Sequence, residues 1–221
     1  MSRDQFKLTS LEIAGEQDRP VANQFIQQQS PSKKLAILFP GMRYTCDKPL
    51  LYFTTELLLS KGYDVLQLWS NYGTADFDEL SQAEKTIQLI ADGQTLLESG
   101  RQAGTYAQLL LCGKSLGSLT MAFILNEDQD VSNLRTVWFT PLIHLPPVSE
   151  AILEIGSPSF IAGSLADKTF SSGPVDQIKS KPNTTTYITD EADHSLEIPG
   201  DSLQSLSILE QVITKLSVFI G

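Results

Sequence analysis

Cysteine, histidine and positive charge are all scarce in this chain of 221 residues, and each scarcity narrows what it does. Two cysteines, Cys46 and Cys112, are too few for a disulfide framework. Cys112 sits in an apolar run and reads as a small buried hydrophobe. Sixteen Lys and Arg against 26 Asp and Glu leave a net charge of −10, which disfavours nucleic acid and anionic membrane surfaces as partners. No apolar run approaches the length of a membrane span, so no membrane partner is expected. The stretch Met1-Ser2-Arg3-Asp4-Gln5-Phe6 has no apolar h-region, so no secretory signal is expected either. These absences point to a cytoplasmic protein. Neither a metal nor a cofactor is expected, and the sequence carries no sign of its oligomeric state. Hydrophobic residues at 41% and charged residues at 19% fit one globular domain spanning residues 1–221, with a real core.

The most telling stretch is Gly113-Lys114-Ser115-Leu116-Gly117, which fits G-x-S-x-G. Ahead of it, Ala107-Gln108-Leu109-Leu110-Leu111-Cys112 reads as a buried strand. Behind it, Leu119-Thr120-Met121-Ala122-Phe123-Ile124-Leu125 reads as a buried helix. A serine on so sharp a strand-to-helix turn projects its hydroxyl above the sheet. The glycines remove Cβ atoms where the turn is crowded. The positive end of the following helix faces the place where negative charge develops in acyl transfer. A phosphate-binding loop is the competing reading, because Gly113-Lys114-Ser115 matches the end of a Walker A motif. That motif requires glycine at position 108, where Gln108 stands. A plain Gly-rich turn with an N-cap serine is the remaining alternative.

Apolar periodicity gives the element order. Strands are predicted at Lys7 to Ala14, Val21 to Gln27, Lys34 to Phe39, Tyr63 to Trp69, the elbow strand, Leu134 to Phe139, Ser159 to Gly163 and Thr184 to Ile188. Helices are predicted at Lys48 to Lys61, Asp78 to Ser99, the elbow helix, Val148 to Glu154, Pro174 to Lys179 and, from Leu203 to Ile220, a final amphipathic helix. This alternation implies an α/β fold: a mostly parallel central sheet of about eight strands, with helices on both faces. Ligands in such sheets bind beyond the carboxyl ends of the strands.

A nucleophilic serine needs a base, and the base needs a group that fixes its tautomer. The chain has two histidines. His194 follows the last predicted strand, and His144 follows the strand ending at Phe139. With triad order Ser, acid, His, only His194 leaves a strand-end carboxylate between itself and Ser115. His194 is therefore the expected base, and His144 is assigned to the pocket lining or the surface. Asp167 lies just past the strand that contains Phe160 and Ile161, and is the expected acid. Its alternative role is that of a loop or N-cap aspartate. Asp176, on a helix-like segment, is a poorer candidate. Asp190, Glu191 and Asp193 read as a solvated acidic loop beside His194. The oxyanion donors are expected to be the backbone N–H groups of Leu116 and of Met42, in the loop Pro40-Gly41-Met42-Arg43. Arg43 either binds a substrate anion or points to solvent.

The segments Phe39-Pro40-Gly41-Met42, Gly113-Lys114-Ser115-Leu116-Gly117, Gly163-Ser164-Leu165-Ala166-Asp167 and Ala192-Asp193-His194-Ser195 together resemble the α/β-hydrolase superfamily. The last two resemble its dienelactone-hydrolase-like and small esterase branches. The resemblance covers nearly the whole chain. It departs at the oxyanion turn, where Pro40-Gly41 stands in place of the His-Gly of many members. Only about twenty residues separate Phe139 from Phe160, where many members insert a lid domain, so minimal or no lid is expected. The resemblance implies a Ser-His-Asp serine hydrolase of a small-molecule carboxylic ester or thioester. A peptidase with the same triad, or a non-catalytic binding module on the same fold, stands as the alternative.

Overall fold

The computed structural model describes residues 5–70, 72–127 and 133–221. The start of the chain, residues 1–4, where a secretory signal was sought, lies outside the described residues. One eight-stranded sheet runs in the order β1-β2-β4-β3-β5-β6-β7-β8. Its strands are β1 (Phe6–Thr9), β2 (Asn23–Gln28), β3 (Lys34–Phe39), β4 (Asp64–Leu68), β5 (Gln108–Lys114), β6 (Leu134–Phe139), β7 (Ser159–Ser164) and β8 (Thr184–Thr189). The first two pair antiparallel at one edge, and β4 through β8 are joined by parallel pairings.

The period-2 alternation of each strand divides the core. Leu35, Ile37, Phe39, Leu111, Trp138 and Ile161 face one layer, formed by α3 (Gln82–Gln102), α4 (Leu116–Glu127), α5 (Pro146–Glu154) and α7 (Val175–Ser180). Ala36, Leu38, Cys112, Val137, Phe139 and Phe160 face the other, formed by α1 (Pro49–Ser60) and α8 (Ser202–Ile220). Pro at the start of α1, where its missing N–H has no intrahelical partner to lose, and Gly62 at φ +81° just past its end fix that helix's limits. The connection from β6 to β7 carries one nine-residue helix, α5, and no lid.

Three sequence expectations shift. The predicted strand Lys7 to Ala14 stops at Thr9, because the Asn23 side chain takes both the N–H and the carbonyl of Leu11 and replaces the ladder there. The predicted helix Asp78 to Ser99 is two helices, α2 (Ala75–Glu79) and α3. Leu80 is extended between them, and Ser81 caps α3 in a reciprocal capping box with Glu84. A short helix that periodicity did not reveal, α6 (Lys168–Ser171), follows β7. The expectation that no segment reaches membrane-span length is also corrected. By length and composition, α8 is long and apolar enough to cross a membrane. Its inner stripe, Ile208, Val212, Leu216 and Ile220, packs in the core against the sheet.

Candidate active site

Ser115 sits between the last residue of β5 and the first of α4, with φ at +51°. A non-glycine residue is strained in this left-handed region. The reason it is held there is visible on either side. A Cβ on Gly117 would lie 2.0 Å from the carbonyl oxygen of Phe39 and 2.7 Å from that of Pro40. A Cβ on Gly113 would lie 2.8 Å from the carbonyl oxygen of Gly117. The elbow is therefore pressed onto the end of β3, and only glycine fits at both flanks. The Ser115 N–H donates to the Phe139 carbonyl at 3.0 Å, and the Ser118 hydroxyl donates to the Ser115 carbonyl while accepting from the Leu142 N–H. These bonds brace the turn against β6 and its following loop.

Three predicted residues come together from three strand ends. His194 Nε2 lies 2.7 Å from Ser115 Oγ, and His194 Nδ1 lies 2.6 Å from Asp167 Oδ2. The two oxygens of Asp167 have different partners. Oδ1 caps α6, accepting from the Thr169 N–H at 2.9 Å and from the Thr169 hydroxyl at 2.7 Å, while Oδ2 faces the imidazole. Burial pushes the Asp167 carboxyl up, but hydrogen bonds from His194 and Thr169 and the imidazole's charge outweigh it and hold the group below its ordinary value. Asp193 is occupied in its own loop, where Oδ1 accepts from the N–H groups of Ser195 and Glu197.

The loop expected to supply an oxyanion donor follows β3. Gly41 and Tyr44 close a tight turn through reciprocal backbone bonds of 3.1 and 3.2 Å, with Met42 and Arg43 at its tip. A Cβ on Gly41 would lie 3.2 Å from Ser115 Cβ, so this loop passes directly over the serine. Leu116 is the first residue of α4, and its N–H has no intrahelical acceptor. Arg43 turns outward to Asp78 at 3.3 Å, an exposed pair. His144 is exposed, and its Nδ1 lies 2.9 Å from the Thr169 carbonyl, which places it at the rim on the α6 side.

Two further residues touch this arrangement and were not singled out by sequence. Thr169 holds Asp167 and also lies 3.1 Å from His194 Nδ1. Its signal was the Asp-x-Thr spacing of an N-cap. Lys114, the variable position of the elbow motif, is 1% exposed, and burial is the main cause that lowers its ammonium to about 8. Its signal was its place at the end of a central strand, where every residue from Leu110 onward is buried. A cavity of about 400 Å³ lies behind the histidine loop, lined by residues such as Tyr44, Leu50, Leu196 and Leu209. Neither Ser115 nor His194 lines it.

No known family model matches the sequence, and no curated protein does. Solved structures do match over nearly the full length. An esterase from Pyrococcus furiosus superposes with a TM-score of 0.67 at 17% identity, covering 100% of this chain and 96% of that one. A cold-adapted esterase from an Arctic intertidal metagenomic library gives 0.68 at 14%, covering 98% and 94%. An alpha-beta serine hydrolase homologue from Coxiella burnetii gives 0.64 at 11%, covering 98% and 99%. At these identities the likeness is one of fold, and the chain has the α/β-hydrolase fold.

Proposed function

We propose that this chain is a serine hydrolase that cleaves a carboxylic ester or thioester carrying a small-to-medium acyl group. The observation that carries the reading is the unbroken line Asp167 Oδ2–His194–Ser115 Oγ, at 2.6 and 2.7 Å. Ser115 Oγ attacks the carbonyl carbon as its proton passes to His194 Nε2. Asp167 holds the Nδ1–H and stabilises the imidazolium that forms. The Met42 and Leu116 N–H groups bind the oxyanion. Collapse of the tetrahedral adduct breaks the bond to the alcohol or thiol, which leaves with the His194 proton. Water then attacks the acyl-enzyme, with His194 again taking the proton, and the acid is released with Ser115 restored.

Two observations support a modest, accessible substrate. The β6–β7 connection is too short to roof the site, and the oxyanion turn leaves the Met42 side chain 49% exposed. We assign His144, exposed beside α6, to the substrate-binding rim. Arg43 reaches substrate only by leaving Asp78. We assign the protein to the cytoplasm as a single domain, in keeping with two free, buried thiols. The reading needs no metal or cofactor.

A fluorophosphonate probe tests this directly. It should label Ser115 in the wild-type protein and fail to label Ser115→Ala. A panel of p-nitrophenyl esters and thioesters of rising acyl length should then give turnover that peaks at short or medium chains. A folded protein that the probe leaves unlabelled would instead be a binding module on this fold.

A further inference from the structure

A lysine ammonium buried at the end of a core strand is costly, and a methionine of similar length would fill the same space without a charge to desolvate. Lys114 nonetheless sits there, 1% exposed. It follows Leu110 and Cys112 on the α1/α8 side of β5, so its side chain leaves the elbow on the side of the histidine loop rather than toward α4. Its Nζ donates to the backbone carbonyl of His194 at 2.8 Å and to the Thr140 hydroxyl at 2.8 Å. It also stands 4.7 Å from the centre of the Tyr44 ring, within cation–π range. Thr140 follows β6 at φ +38°, and Tyr44 closes the oxyanion turn. One ammonium thus touches the serine's own strand, the end of the neighbouring strand, the oxyanion loop and the base's loop.

We propose that Lys114 is a positioning residue of the catalytic site: its ammonium fixes the distance between the nucleophile elbow, the His194 loop and the oxyanion turn. The inference rests on the serine-hydrolase reading of Ser115 and His194. The His194 carbonyl is the natural handle, because holding it fixes the loop without engaging either ring nitrogen. Both stay free for Ser115 and Asp167. A charged donor makes these bonds roughly twice as strong as a neutral one, and only the charged form gives the cation–π contact.

The charges facing Lys114 are Asp167 from beyond β7 and Asp193 and Glu197 from the histidine loop, all of which favour the ammonium. Tyr44 faces it from the oxyanion turn, and its phenol is pushed up to about 12, chiefly by burial. Burial outweighs the carboxylates at Lys114 and lowers its ionisation to about 8. Between pH 7 and 9.5, Lys114 is therefore the group of this cluster that changes charge.

The test measures the rate at which a fluorophosphonate labels Ser115, which requires no knowledge of the natural substrate. In the wild-type protein the maximal labelling rate should fall several-fold as pH rises through about 8, with little change in probe affinity. Lys114→Met should label about 30- to 100-fold more slowly at pH 7, as expected for a reacting group displaced by around 1 Å. Its rate should stay flat from pH 7 to 9.5. A purely structural lysine would lower the yield of folded protein without giving this pH limb. Where Lys114→Met does not fold, Lys114→Gln, which keeps a donor without the charge, replaces it in the same comparison. A wild-type rate level through pH 9.5, or Lys114→Met labelling at the wild-type rate, overturns this inference and leaves the hydrolase reading standing. Absence of labelling in the wild-type protein overturns both.

Discussion

At the scale of single residues, the oxygens of Asp167 divide the work, and that division yields sharp expectations. Oδ2 meets His194, and Oδ1 accepts from the backbone N–H and the hydroxyl of Thr169. Asp167→Asn should leave the cap in place but allow the wrong imidazole tautomer, lowering kcat by about 10⁴-fold. Thr169→Val keeps the backbone donor and loses only the hydroxyl, so steady-state kinetics should show a loss of about 5- to 10-fold, the worth of roughly 1 kcal/mol. Asp193→Asn should do far less than Asp167→Asn, because Asp193 serves its own turn. If it proves the more damaging change, the acid has been misassigned. Ser115→Ala should remove activity by about 10⁴- to 10⁶-fold, with an unchanged far-UV spectrum. Ser115, Asp167 and His194 were legible in sequence because each follows a predicted strand and the chain holds only two histidines. Thr169 and Lys114 were not, because their roles depend on which neighbour a side chain meets across the sheet. Its place at the end of a central strand says that Lys114 is inside and not what waits for it there.

At the scale of elements, the elbow works because β5, α4 and β3 are locked at backbone distance. Gly117→Ala would drive a methyl group into the Phe39 carbonyl, 2.0 Å away, and neither partner is a flexible side chain. It should destabilise the fold by about 3 kcal/mol or more, read as a drop in the urea midpoint, and remove activity in whatever remains folded. The capping box of α3 is a milder case. Ser81→Ala should lose about 1 kcal/mol with little effect on activity, since Ser81 and Glu84 bond each other at the exposed start of α3 and touch none of Ser115, Asp167 and His194. Glycine at the elbow was readable from the motif, whereas the break at Leu80 and Ser81 was not. The apolar positions Leu80, Ala83, Ile87 and Ile90 keep helical spacing across the break, and the competing signal, a serine followed three residues later by Glu84, lay inside an apparently continuous stripe. The first strand was overextended for a related reason. Asn23 intercepts Leu11 through its side chain, a contact no local pattern encodes.

At the scale of the whole molecule, buried ionisable groups set how stability varies at alkaline pH, and Lys114 runs opposite to the buried thiols and phenols. Its ordinary value is 10.5 and its folded value is about 8. Between these, the unfolded chain still holds the proton that the folded chain has released, so stability gains with rising pH at a slope approaching 1.4 kcal/mol per unit. The thiols of Cys46 and Cys112 are raised from 9.0, and the phenols of Tyr44, Tyr72 and Tyr106 from 10.0, all chiefly by burial. These groups keep their protons when folded and lose them when unfolded, so above pH 9 they take stability away. Absolute stability should therefore be nearly level or rise slightly from pH 8 to about 9 and then fall. The difference between the wild-type protein and Lys114→Met isolates the lysine, because the thiols and phenols are common to both. Lys114→Met should be the more stable of the two at pH 7, where the wild type carries a buried charge. Its advantage should shrink as pH rises, by up to about 3 kcal/mol on reaching pH 10. Paired urea melts at pH 7, 8.5 and 10 measure this. An advantage that does not change with pH would mean that Lys114 keeps its ordinary ionisation in the folded chain, and the fall in labelling expected as pH rises through about 8 would have to be abandoned with it.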